Sequence, residues 1–176
     1  LSSAASDVYK RQMLMIENDS TLAEFKLSIS QKYKRHRPRL LILLGNPALL
    51  MRDEYRELWG DIPIVLCSEE NYLGPQETYT KKQAIATADR TPLTQLADPY
   101  NMVLLYSNLY LDENIQLICH IVPEIKKFIF IGDEREINQT NNLEIQTKLK
   151  AINPNIEYQY ITPQKMTTNQ LLDSLY

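Results

Sequence analysis

Apolar positions are densest between Arg39 and Asn71, RLLILLGNPALLMRDEYRELWGDIPIVLCSEEN, where an unbroken apolar run, a turn, a helically spaced stripe and a second apolar run follow one another. Leu40 to Leu44 do not alternate with polar residues, which predicts a parallel strand covered on both faces. Gly45 interrupts the run. Asn46 can accept from the first free N–H groups of a helix, and Pro47 suits a first turn where its missing donor is not needed, so the spacing predicts a helix from there. Met51, Tyr55 and Leu58 share one stripe with Leu50 beside them, while Arg52, Asp53, Glu54, Arg56 and Glu57 lie mostly opposite. Gly60 ends this helix, and Ile62 to Cys67 reads as the next strand, completing one βαβ unit.

The pattern on either side continues the same alternation of elements. Upstream, Leu14 to Ile16 reads as the remnant of an element, Thr21 to Glu24 as a capping box, and Leu22, Phe25, Ile29 and Tyr33 as the apolar stripe of a helix. Downstream, Asn71 to Tyr100 is polar and interrupted by Gly74, Pro75, Pro92 and Pro99, which predicts a long excursion with a short helix around Lys81 to Ala88. Met102 to Tyr106 is a third strand. Asp112, Glu113 and Asn114 cap a helix with the stripe Leu111, Ile115, Ile118 and Val122, which Pro123 stops. Phe128 to Ile131 and Ile156 to Ile161 are further strands around a helix near Asn141 to Ala151, and a last helix starts at Thr167 or Thr168. The elements divide into two α/β halves joined around Tyr106 to Asp112. Residues 1–12, LSSAASDVYKRQ, fit no element and are expected to be a non-native leader, so the predicted domains are 13–108 and 109–176.

Composition narrows the chemistry. With 176 residues and 44% hydrophobic content the chain can bury a core, and a net charge of −3 gives no general attraction to nucleic acid or anionic membrane. The basic run Lys32 to Arg39 follows a predicted helix and reads as solvated surface that complements its dipole. No apolar run approaches the ~20 residues that span a bilayer. Cys67 and Cys119 are too few and too far apart for a zinc site and read as small buried apolar residues; His36 and His120 read as surface positions. Neither a Gly-rich phosphate fingerprint nor a P-loop follows any strand, so no cofactor and no metal is expected.

Parallel sheets bind ligands outside the carboxyl ends of their strands, which here are Gly45, Asn46 and Pro47 in one case and Ser68, Glu69, Glu70 and Asn71 in the other. The turn at Asn46 is equally a plain helix cap. A small α/β enzyme would use Glu69, Glu70 or Asp133 as a general base, but Glu69 and Glu70, adjacent in sequence, read as solvated loop charges. FIFIGDE superficially suits a receiver-like signalling domain, which would also need an acidic pair on an earlier strand and a late lysine.

Three segments, QKYKRHRPRLLILLGNPALL, DIPIVLCSEEN and DENIQLICHIVPEIKKFIFIGD, occur in an order and spacing similar to the periplasmic sensor region of Bacteroidetes-type hybrid two-component sensor histidine kinases. The resemblance runs from Lys32 to Tyr176. It implies an α/β, parallel-sheet, two-lobed type I periplasmic-binding-protein-like fold, truncated at both ends and related to ABC-transporter substrate-binding proteins. It also implies a non-enzymatic segment that closes on a small-molecule ligand between two lobes and regulates a downstream kinase. Carried residue by residue, it points to Gly45, Asn46, Pro47, Ser68, Asn71, Tyr106 and Asp133 as ligand-binding positions. It places the segment in the periplasm as part of an inner-membrane protein attached through flanking segments, with no nucleic-acid partner, and is compatible with a homodimer of the parent protein. An ABC-transporter substrate-binding protein is the alternative within the same fold.

Overall fold

The computed structural model describes residues 18–35 and 37–175. The expected leader, the element at Leu14 to Ile16 and His36 lie outside the described residues. The chain is α/β, with helices and small parallel sheets, and forms two compact units: residues 18–81 with Thr87–Leu109, and Lys82–Ala86 with 110–175.

The first unit opens with helix α1, Asp19–Tyr33, which buries Leu22, Phe25 and Ile29 as the helical spacing requires. Its cap lies one turn before the expected Thr21. The Asn18 Oδ1 accepts from the Thr21 amide at 3.0 Å, and the Thr21 hydroxyl oxygen accepts from the Asn18 amide at 3.1 Å. Asn is a strong cap, and here the Thr supplies the returning oxygen that Glu24 was expected to provide.

Strand β1, Leu41–Leu44, leads through Gly45 into a tight 3-10 turn, Asn46–Met51, before helix α2, Arg52–Trp59. The helix expected from Asn46 therefore becomes regular six residues later, and Asn46 makes no cap bond. Gly45 sits at φ +83, a conformation that L side chains rarely adopt, and it redirects the chain so that Asn46, Ala48, Leu49, Leu50 and Met51 are all buried. In α2, Tyr55 and Trp59 are buried and stack at 5.6 Å, and Gly60 closes the helix at φ +72.

Strand β2, Ile64–Ser68, begins two residues later than expected and is followed by strand β3, Tyr72–Leu73. The excursion beyond it is more ordered than its polar sequence suggests. It contains helix α3, Gln76–Thr80, instead of a helix at Lys81 to Ala88, then strand β4, Thr91–Pro92, paired antiparallel with β3, and helix α4, Thr94–Ala97. Strand β5, Met102–Tyr106, completes a parallel three-stranded sheet in the order β1-β2-β5, with Leu43 beside Leu66 and Leu66 beside Leu104.

Among the described residues, one face of that sheet is covered and the other is open. Leu43, Ile64, Leu66 and Met102 are buried, whereas Ile42 is 59% exposed, Leu44 50%, Val103 60% and Leu105 55%. The expectation of a strand covered on both faces is thus corrected. The uniform Leu40–Leu44 run suits two covered faces, but the helices of this unit supply one.

The second unit contains helix α5, Leu111–Ile121, strand β6, Lys127–Ile131, helix α6, Glu136–Ile152, strand β7, Glu157–Ile161, and helix α7, Thr168–Leu175. β6 and β7 pair in parallel, with Phe130 beside Tyr160. Ile115, Ile145, Leu149 and Ile156 form the core, with Leu111, Cys119, Phe128, Phe130 and Tyr158 packed against it. The inward stripe of α5 is therefore Leu111, Ile115 and Cys119, with Ile115 buried and the other two partly buried, while Ile118 and Val122 are exposed. Helix α6 starts five residues before the expected Asn141, and buried Thr140 on it accepts from the Ile85 amide at 2.9 Å, which joins Lys82–Ala86 to this unit. Among the described residues no helix is long and apolar enough to cross a membrane.

Leu66 is fully buried at the centre of the first sheet, so Leu66→Ala should destabilise that unit by about 2 to 5 kcal/mol. Val103→Thr, on the open face, should change stability by no more than about 0.5 kcal/mol. Urea denaturation followed by Trp59 fluorescence distinguishes the two, and equal losses would show that the open face carries as much of the core as the covered one.

Candidate functional site

Strand register brings most of the expected binding positions to one edge. Leu44 lies beside Cys67 and Ser68 beside Tyr106, so the residues leaving β1, β2 and β5 emerge together at the carboxyl end of the first sheet. The Gly45 amide donates to the Cys67 carbonyl at 2.8 Å, and the Ser107 amide to the Ser68 carbonyl at 3.1 Å, so the pairing continues to the last residue of each strand.

Polar side chains at this edge are turned into the protein. Asn46 is 4% exposed. Its Nδ2 donates to the Tyr72 carbonyl at 2.5 Å and to Glu70 Oε2 at 3.4 Å, and its Oδ1 accepts from the Ser68 hydroxyl. Ser68 Oγ also lies 2.7 Å from the Glu70 carbonyl and accepts from the Glu70 amide at 3.0 Å. The Tyr72 hydroxyl donates to Glu70 Oε1 at 2.5 Å, and the Arg90 guanidinium lies over the Tyr72 ring at 4.4 Å. One network therefore ties the exits of β1 and β2 to β3.

Glu70 is the residue that the sequence reading misplaced. It is 9% exposed, not a solvated loop charge, because its carboxylate has a phenol and an amide to accept from. Glu69 is exposed, as expected. The missed signal is short: the buried period of two in β2, Ile64, Leu66 and Ser68, extends to Glu70 and is lost at β3, where Tyr72 is partly exposed and Leu73 buried.

Asn46 and Ser68 thus act as internal ties. Gly45 and Pro47 are partly exposed, while Asn71 and Tyr106 face solvent. Asn71 uses its carbonyl to accept from the Leu93 amide at 2.8 Å, which leads the chain into α4. A shallow, solvent-open groove lined by Arg52, Arg56, Gly60, Asp61, Ile64 and Tyr100 lies toward the opposite, amino end of the strands. There Arg56 stacks on Tyr100 at 4.9 Å and Tyr100 donates to Asp53 at 2.6 Å, so the groove reads as a junction between α2 and the approach to β5.

Asp133 belongs to the second unit. Its Oδ1 accepts from the Arg135 amide at 2.9 Å and Asn138 Nδ2 at 2.7 Å, and its Oδ2 from Arg135 Nε at 2.6 Å, so the carboxylate organises the entry to α6. Partial burial works against its charge, but the Asn138 and Arg135 hydrogen bonds and the Arg135 charge outweigh it and hold the carboxyl below its ordinary value. The Tyr160 hydroxyl donates to the Asp133 carbonyl. Burial, reinforced by nearby Tyr160, pushes the Tyr158 phenol up to about 12.

Among the described residues no group of three or more His, Cys, Asp and Glu side chains could hold a metal ion. Cys67 and Cys119 are free thiols and only partly buried, not fully buried as expected; His120 is exposed. Compared with protein-family models, curated proteins and solved structures, the chain matches none of them.

Removing the Asn46 side chain takes one buried hydrogen-bond partner each from Ser68, Glu70 and the Tyr72 carbonyl, so Asn46→Ala should destabilise the first unit by about 1 to 3 kcal/mol. Ser68→Ala in the same background should add less than it does alone, since the two side chains share a bond. Strictly additive losses in a double-mutant cycle would contradict this coupling. For Asp133 the depressed folded-state value has a definite sign. It stabilises the second unit above the unfolded value near ~4, and that contribution disappears as pH falls through the folded value. Asp133→Asn should therefore flatten the acid-side fall in melting temperature below about pH 4, whereas an unchanged slope would exclude the role.

Proposed function

We propose that this chain is the extracytoplasmic ligand-sensing segment of a two-component sensor histidine kinase, a two-lobed module of the type I periplasmic-binding-protein kind. In this reading it lies in the periplasm as part of an inner-membrane protein, and a small molecule regulates a kinase elsewhere in the parent chain.

The observation that supports the reading is the carboxyl edge of the first sheet. Three parallel strands end there together, and a buried network of Asn46, Ser68, Glu70 and Tyr72 holds their exit loops. Partly exposed Gly45 and Pro47, with solvent-facing Asn71 and Tyr106, remain on that scaffold to meet a ligand. A loop position fixed by internal hydrogen bonds is the preorganisation that small-molecule binding uses. The regulatory step would be a population shift, in which the ligand favours one arrangement of the module and the attached segments respond. Such a module needs no general base, which agrees with Glu70 and Asp133 being engaged in holding loops.

A library of small polar metabolites screened against the purified chain by thermal shift tests the proposal. A binder should perturb the amide resonances of residues 45–47, 68–71 and 106, and Asn71→Ala and Tyr106→Ala should each weaken it by about 1 to 3 kcal/mol without lowering the melting temperature comparably. A verified ligand whose resonance changes avoid these loops, or that both variants bind as tightly as the parent, would sink the reading.

A further inference from the structure

The uncovered face of the first sheet is an ordered apolar grid. Register aligns Ile42, Val65 and Val103 in one row and Leu44, Cys67 and Leu105 in the next, and these six positions carry no charged side chain. The strands step across the sheet in one direction, from β1 to β2 to β5, so connections of one hand put their helices on the same side. Helix α1 joins that side by packing against α2 and α3. Among the described residues this unit has no element left for the other face, although parallel sheets are ordinarily covered on both.

We propose that a second copy of this chain docks on this face, the two three-stranded sheets stacking face to face about a twofold axis that lies between them. The surface required of an occupant is flat, apolar, uncharged and three strands wide, and the face itself has those properties, so it is complementary to its own copy. With Ile42, Leu44, Val103 and Leu105 each at least half exposed and Leu40 beside them, the patch offers on the order of 500 Å² of apolar surface, as large as the patches that mark interaction sites. Two such patches bury roughly 1,000 Å² before any rim is counted, close to the lower bound for a specific pair. No like charges on the grid oppose the approach. Stacked sheets lie about 10 Å apart. Because β2 is the central strand, either in-plane direction of the twofold keeps β2 over β2, which brings the two Cys67 thiols within reach of a cross-linker of about that length.

Sedimentation equilibrium on the 176-residue chain at concentrations up to about 100 μM should show a dimer. Val103→Lys and Leu44→Lys, each placing a charge in the stacked layer, should weaken it at least tenfold while far-ultraviolet circular dichroism stays unchanged. Ile121→Lys, at an exposed apolar position of α5 in the other unit, should leave it intact. A short bis-maleimide should join two copies through Cys67, with the product retained in Cys119→Ser and lost in Cys67→Ser. A chain that stays monomeric throughout this range would overturn the proposal, as would a dimer that Ile121→Lys disrupts and Val103→Lys does not. Association that survives both lysine variants on the face and forms no Cys67 adduct would count equally against it.

Discussion

The central position of β2 is the constraint on which the first unit depends. Its backbone is paired on both edges, to β1 and to β5, and buried amide and carbonyl groups tolerate little else. Once that register is set, Leu66 has Leu43 and Leu104 beside it, and Gly45, Ser68 and Tyr106 reach the same edge. A slip of one residue would turn Leu66 outward and Cys67 inward, exchanging a fully buried side chain for a partly exposed one. Core packing and the position of the strand-exit loops are therefore consequences of one pairing.

The polar network at that edge shows how the unit accommodates a buried carboxylate. An isolated Glu70 would be strongly disfavoured away from water, but the Tyr72 phenol and the Asn46 amide both donate to it. The same contacts remove Asn46 and Ser68 from the surface. The exit loops consequently divide into an inner set that holds their shape and an outer set, Asn71 and Tyr106 foremost, that can meet solvent or ligand.

The second unit repeats this economy with different residues. Phe130 stacks on Tyr160 at 5.4 Å across β6 and β7, and the tyrosine hydroxyl then reaches the Asp133 carbonyl beyond the strand. Asp133 in turn arranges the start of α6 through Arg135 and Asn138. Gly132 is confined between the Tyr160 ring and Asn138, where a Cβ would approach to 3.1 Å. Strand packing and loop shape are again coupled through a residue that belongs to both.

By itself the sequence determined the elements whose apolar residues repeat at a local period. The α1 stripe Leu22, Phe25 and Ile29, the five longer strands and the Gly60 stop were all legible because burial of one face follows from spacing along the chain. Contacts across the chain were decided only by the tertiary structure. Leu40 to Leu44 reads the same whether one face or two are covered, since covering depends on which way successive connections cross the sheet. Asn46 fits a helix cap in sequence, yet it turns inward because Ser68, 22 positions away, lies within hydrogen-bonding distance once β1 and β2 pair. Glu70 looks like a solvated charge until β3 brings the Tyr72 hydroxyl back toward it and Asn46 arrives from β1. A polar side chain is buried where partners converge, and that convergence is set by strand pairing, which no local pattern contains.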